Sequence, residues 1–172
     1  MKKQLIGKGA FTKAYLGTDG NVYLNSSCPI KECMAQGWFP SARVFPKIEK
    51  LEHQEYKMKY YPRVSSLKSE LDPKEWEKYK NLRQISDGSF MRKPLNSACL
   101  IEFWYKEFDK VQNKTLRQHL RDAIEACGNV SRAPDFEISP RNVAVSNGKL
   151  ILLDVFFCRD ELEKTRKPRR WA

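Results

Sequence analysis

The chain has 172 residues, 41% of them hydrophobic and 12% aromatic, with 32 Lys and Arg against 21 Asp and Glu for a formal net charge of +11. That length suits one domain and that apolar content a packed core, so the composition argues against a disordered chain; the charge favours polyanions (nucleic acid, acidic protein faces, nucleotides, anionic lipid) without choosing among them. Cys28, Cys33, Cys99, Cys127 and Cys158 are odd in number and lack CxxC spacing, and no stretch approaches the roughly 18 apolar residues of a membrane span, so neither a disulfide framework, a zinc module nor a membrane partner is expected, and a soluble protein of a reducing cytosol is.

Gln4 to Leu16 reads as strand, glycine turn, strand, and Thr18-Asp19-Gly20 turns the chain into a third strand over Asn21 to Asn25. Ser26 and Ser27 offer N-caps to a short helix from Ile30 to Gln36, with Pro29 in its first turn and Gly37 as its stop. Alternation around Val44, Phe45, Ile48 and Leu51, then Tyr56, Met58 and Tyr60, predicts two more strands joined at Glu52-His53-Gln54. Residues 1–63 should therefore form a β-rich lobe, a five-stranded antiparallel sheet with one short helix. Pro62 ends the last strand, and a polar, Ser/Lys-rich linker is expected over 64–71.

Residues 72–160 should form a minimal, mostly helical C-terminal lobe, making the whole a two-lobed α+β fold. Asp72-Pro73 caps a helix to about Arg83, Asn96 caps one from Ser97 to Val111, and Thr115 to Cys127 forms a third ended by Gly128. Leu100, Phe103, Trp104, Phe108 and Val111 recur as a core-facing stripe. Asn142 to Val145, a Ser146-Asn147-Gly148 turn and Leu150 to Leu153 predict a hairpin closing on Asp154. In the tail, 161–172, Glu161 and Glu163 precede Arg166, Lys167, Arg169 and Arg170, a short charged helix leading into a basic end.

Gly7-Lys8-Gly9-Ala10-Phe11 has the form of a loop whose glycines let backbone N–H groups approach phosphate oxygens, although a GxG in a hairpin also serves as a bulge or turn. Lys8 and Lys13 add positive charge either way. A more specific signal is Asp135-Phe136-Glu137-Ile138-Ser139-Pro140-Arg141-Asn142-Val143, with Asp154 following at the end of an apolar strand. An acidic residue, a short gap, an Asn, then a hairpin and an Asp would bring one carboxylate, Glu137, to a substrate and two oxygen donors, Asn142 and Asp154, to Mg²⁺. The plain alternative is that Asn142 caps a turn and Asp154 pairs with a nearby base.

In this order the elements and motifs resemble the protein-kinase-like superfamily, whose pattern includes a glycine-rich loop, H-x-D-x4-N and D-x-G; the resemblance covers about residues 4–160. Within it the chain is most similar to the compact, early-expressed protein kinase of short-tailed bacteriophages, on Gly7, Gly9, Phe11, Asn142, Val143, Ser146-Asn147-Gly148 and Asp154. The resemblance implies ATP bound at Gly7, Lys8, Gly9 and Phe11, Mg²⁺ at Asn142 and Asp154, and Glu137 orienting a Ser/Thr hydroxyl of a bacterial host protein, in the cytoplasm of the infected host.

Departures from the pattern open a second expectation. Glu137 is one methylene longer than the family's Asp, the strand Asn21-Val22-Tyr23-Leu24-Asn25 lacks the Lys that meets nucleotide phosphates, and Asp154 is followed by Val155-Phe156 rather than Phe-Gly, with little chain left for an activation segment. Lys8, Lys13 or Lys31 would substitute only if folded into the cleft, and Glu32 lies where the family's helix Glu would sit, without its Lys partner. A pseudokinase that captures a host protein of transcription or defence, or a nucleic acid through the tail from Lys164 to Arg170 with Trp171 to stack, is the alternative.

Overall fold

Alternation of apolar and polar residues makes the first part of the chain a sheet with one face to bury. The computed structural model describes residues 1–165. Strands β1 (Lys3–Lys8), β2 (Thr12–Gly17) and β3 (Asn21–Ser26) form a meander, and helix α1 (Pro29–Ala35) follows. The hairpin β4 (Ile48–Glu52) and β5 (Glu55–Lys59) then returns beside β3, in the order β1-β2-β3-β5-β4. Ala14, Leu24 and Tyr56 stand in one cross-strand row and Leu16, Val22 and Met58 in the next. Val22, Leu24, Ile48 and Tyr56 are buried there, with Met34 and Ala35 of α1 packed against them.

Local chemistry explains most of these turns and one correction. Gly20 and Gly37 have φ of +82° and +75°, so a Cβ would be strained where the β2–β3 turn and the end of α1 need them. α1 is capped by neither Ser26 nor Ser27: Cys28 holds the cap position without a side-chain bond, and its N–H donates to Ser26 Oγ at 3.2 Å. Val44 and Phe45 do not extend β4. Phe45 instead enters the larger core, edge-on to Phe39 at a centroid distance of 4.8 Å.

The linker contains a one-turn helix, α2 (Leu67–Glu70), where Ser66 Oγ accepts from the Ser69 N–H. α3 (Pro73–Ser89) runs beyond Arg83 because Ile85, Ser86 and Ser89 remain buried. Asp72 does not cap it with its side chain but pairs with Lys149 at 3.1 Å. The helix expected over Ser97 to Val111 is α4 (Leu100–Glu107) between 3₁₀ turns at Ser97–Cys99 and Phe108–Lys110. This tighter winding still buries Leu100, Trp104, Phe108 and Val111 completely, and Phe103 packs partly buried beside them. α5 (Lys114–Gly128) is capped by Asn113, whose side chain accepts from the Leu116 N–H at 2.9 Å.

Two short strands escape sequence patterning: β6 (Pro134–Phe136) and β9 (Phe156–Cys158) pair with each other around the expected hairpin of β7 (Val143–Ser146) and β8 (Lys149–Leu152). Asn147 and Gly148 both have positive φ, 51° and 76°, as a two-residue hairpin turn with right-handed strand twist requires. α6 (Arg159–Thr165) closes the described chain, and the basic end from Arg166, including Arg169, Arg170 and Trp171, lies outside the described residues. Among the described residues no helix is long and apolar enough to cross a membrane. The layout is α+β and fits a two-lobed kinase-like fold: an antiparallel sheet with its crossing helix, then helices packed around a small hairpin.

The larger core centres on aromatic contacts, with Phe136 lying 5.1 Å from both Trp104 and Phe108 and 5.2 Å from Phe156. Beside it Asp135, 3% exposed, accepts from Trp104 Nε1 and its own neighbour Phe136 N–H at 2.8 Å and pairs with Lys93 at 3.1 Å and Arg159 at 3.3 Å. Removing one member of such a buried set leaves the others uncompensated, so Asp135→Ala should cost about 3 kcal/mol or more of stability. Urea denaturation measures this. All five cysteines are free and only Cys99 is exposed, so a thiol reagent should label one group rapidly in the native protein and five after denaturation.

Candidate active site

The pairing of β6 with β9 brings the start and end of the Glu137–Asp154 segment together. The Glu137 N–H donates to Val155 O at 2.9 Å, and Asn142 O accepts from the N–H groups of Leu153 at 2.8 Å and Asp154 at 3.3 Å. A turn closed by the Asn142 N–H on Ser139 O, 3.0 Å, shapes the intervening loop. Its base is held by Ile138, whose N–H donates to Ser86 Oγ at 3.0 Å and whose carbonyl accepts from Arg83 at 3.2 Å. Glu137, Asn142 and Asp154 thereby stand on one backbone-bonded unit, with the Glu137 side chain exposed. Asn142 Nδ2 reaches Glu137 O at 3.5 Å.

Lys31 joins them from the other lobe. Its Nζ lies 3.0 Å from Asp154 Oδ1 and 3.5 Å from Leu153 O; its side chain is 6% exposed, that of Asp154 56%. The expectation that Asp154 pairs with a nearby base is met, and that base is the lysine the missing strand-three Lys had left open. Burial works against the charge on Lys31, but the Asp154 carboxylate and then the Cys28 thiol more than offset it, holding its pKa above the ordinary value. Lys31 is a fixed cation of the site.

Glu32, next on α1, points away to the sheet: its carboxylate accepts from Lys50 at 2.7 Å and from Tyr56 Oη and Gln36 Nε2 at 2.8 Å each. It ties α1 to β4 and β5 and so fixes the register in which Lys31 meets Asp154. These bonds, that from Lys50 first, hold the Glu32 carboxyl down at about 2 from an ordinary 4.5. A depressed carboxyl stabilises above its unfolded pKa and loses that contribution as pH falls through its folded one. Acid unfolding of Glu32→Gln should therefore show a shallower loss of stability than wild type between about pH 4.5 and 2.

The glycine loop reaches the same region through its far end. Phe11 packs against the larger core, and its carbonyl accepts from the Ser27 N–H at 3.1 Å, just before α1. Gly9 N–H donates to Thr12 O at 2.8 Å, and a bulge separates Leu5 from Gly7. Yet neither glycine has a positive φ, and an added Cβ would make ordinary contacts, 3.8 Å to Ala14 Cβ from Gly7 and 3.9 Å to Thr12 O from Gly9. The fold itself does not require glycine at either place, which leaves close approach of a ligand as a reason for it. Lys8 faces Lys13 across the hairpin; no ion pair or hydrogen bond among the described residues joins either to Asp154, Asn142 or Glu137.

Between the lobes lies a cleft of about 1100 Å³. Ile6 and Ala14 line it from the sheet, Tyr60, Tyr61 and Pro62 from the connection, and Val143 and Leu153 from the hairpin. Leu153 and Arg141 line it, whereas their chain neighbours Asp154 and Asn142 do not. The sequence singles out Glu137, Asn142 and Asp154, which are not in the cleft lining, but not Arg63, Lys68 and Trp76, which are. No local motif marks these three; they meet through the connection and α3.

Two oxygen donors suit a hard cation that keeps waters and substrate phosphates as its other ligands. Asp154 Oδ2 and Asn142 Oδ1 would hold Mg²⁺, and among the described residues no group of three or more His, Cys, Asp or Glu could hold a metal by itself. No family model and no curated protein matches the chain. Among solved structures it is similar to the streptomycin–ATP ternary complex of APH(2″)-IIa, at 13% identity and a TM-score of 0.38, covering 94% of this chain and 68% of that one. It is similar also to ADP-bound aminoglycoside phosphotransferase APH(2″)-Ib, at 12% identity and a TM-score of 0.38, covering 94% and 69%. A third likeness is to the gentamicin complex of APH(2″)-IIa, at 12% identity and a TM-score of 0.36, covering 93% and 68%. The kinase-like reading of this chain rests on its own strand order, its crossing helix and the Glu137–Asn142 turn beside Asp154.

Proposed function

We propose that the chain is an atypical phosphotransferase that moves the γ-phosphoryl group of ATP to a Ser or Thr hydroxyl of a protein. The observation that carries this reading is that Lys31 pairs with Asp154 on the same backbone-bonded unit that carries Asn142 and Glu137, next in the chain to residues that line an interlobe cleft. The apolar walls formed by Ile6, Ala14, Val143 and Leu153 suit a nucleotide base, and Lys31, whose Nζ lies 3.5 Å from the carbonyl of Leu153, would meet its phosphates. Mg²⁺ at Asp154 and Asn142 would supply charge neutralisation of the phosphates. In the transfer the acceptor oxygen forms a bond to the γ-phosphorus as the bond to the β,γ-bridging oxygen breaks; ADP leaves, and the hydroxyl proton passes to the Glu137 carboxylate.

The resemblance to the phage kinase supplies the setting we propose: action on a bacterial host protein in the cytoplasm of the infected cell. An aminoglycoside acceptor, as in the named neighbours, is disfavoured by charge, since this cleft is lined by Arg63, Lys68 and Arg141 and by no carboxylate. A second reading, a pseudokinase that acts by binding, is favoured by one observation: Lys31 already engages one oxygen of Asp154, the carboxylate that would take Mg²⁺.

Transfer of labelled γ-phosphate from Mg²⁺–ATP to itself and to bacterial lysate proteins should occur with wild type. It should fall on the order of 100-fold or more in Asp154→Ala and in Lys31→Met. Transfer that survives Asp154→Ala would exclude the enzyme assigned to these residues. No transfer with any form, alongside a thermal shift on adding Mg²⁺–ATP, would decide for the binding protein.

A further inference from the structure

Among the described residues some cations have a carboxylate partner and others do not. Arg43 and Lys78 share Glu75, Arg92 and Lys110 share Glu107, and Lys93 and Arg159 share Asp135. Arg63, Lys68 and Arg141 belong to the second group, and what sets them apart is place: they are exposed and line one cleft from separate parts of the chain. Arg63 and Lys68 come from the connection between the lobes, and Arg141 from the turn that carries Glu137 and Asn142. With no Asp or Glu in the cleft lining, the potential inside the cleft is positive and focused by low-dielectric walls.

We propose that Arg63, Lys68 and Arg141 select the acceptor, a hydroxyl-bearing peptide with Asp or Glu beside its Ser or Thr. This rests on the phosphotransferase reading above. Arg141 stands on the same short turn as Glu137, four residues along, and lines the cleft, so an acceptor whose hydroxyl meets Glu137 would lay its flanking side chains along these cations. Carboxylates there gain charge-assisted hydrogen bonds, and Lys or Arg there meets like charge. A single-stranded nucleic acid would seek the same cations, but it would also need open aromatic faces for its bases. Those faces are taken: Trp76 stacks on Tyr79 at 5.5 Å with Lys80 over its ring, and Lys59 lies over Tyr61.

The experiment is steady-state phosphorylation of two matched peptides, one Ser flanked by Asp and Glu, the other by Lys and Arg, with full-length wild type, Arg141→Glu and the double variant Arg63→Glu/Lys68→Glu. Wild type should favour the acidic peptide by about tenfold or more in kcat/KM, mainly through KM, as one lost charge-assisted contact implies. Arg141→Glu should cancel or reverse that preference while the KM for ATP changes less than the KM for peptide. Equal use of both peptides, preference for the basic one, or an oligothymidylate that displaces the acidic peptide more tightly than the peptide binds would each overturn the acceptor assignment and leave phosphotransfer standing. Absence of transfer to either peptide and to lysate proteins would overturn both together.

Discussion

The carboxylate of Asp135 is the constraint on which the rest of the C-terminal part depends. A buried anion is expensive to leave unpaired, and this one gathers the indole of α4, a lysine from the α3–α4 connection and an arginine from α6. It does so from the middle of β6, directly opposite Phe157 of β9. Two strands of such short length could not hold each other by ladder bonds alone. Anchored by the ion network and the Phe136–Phe156 contact, they form a closed base from which the Glu137 turn and Asp154 both emerge. The exposed chemistry of the loop is set by a buried charge two residues upstream.

The second constraint is α1. A helix of two turns has little stability of its own, and its position comes from its partners on both sides. Met34 packs against both hydrophobic clusters, Glu32 bonds to the sheet, and Lys31 crosses to Asp154. Neighbouring residues on this helix thus serve different lobes: the acid holds the sheet and the base reaches the site. The pattern the chain resembles pairs a strand lysine with a helix acid, and the strand Asn21 to Asn25 has no such lysine. What the chain has is a helix lysine paired with the site acid, leaving the helix acid to structural work.

These arrangements also give the net charge of +11 a location. Local pairs cancel charge without altering that excess, and exposed examples such as Lys80–Glu77 and Lys106–Glu102 contribute little to stability. The surplus that remains unpaired at the cleft has a different consequence, because a concave surface concentrates potential that a convex one disperses.

The sequence by itself determined the elements whose signal is local. The meander and its glycine turns, the hairpin around Asn147-Gly148, the stops and most helices follow from period-two or helical patterning and from backbone conformations that few residues tolerate. That Glu137, Asn142 and Asp154 stand on one unit was legible for the same reason, since a short loop and one hairpin join them. Tertiary structure alone decided what depends on contacts between distant segments. The β6–β9 pair is too short to show a period, the 3₁₀ breaks around α4 answer to packing, and Asp135 reads in sequence as one more polar residue. Which lysine reaches Asp154 required a helix to be placed against a hairpin more than a hundred residues away, and no local pattern encodes that distance.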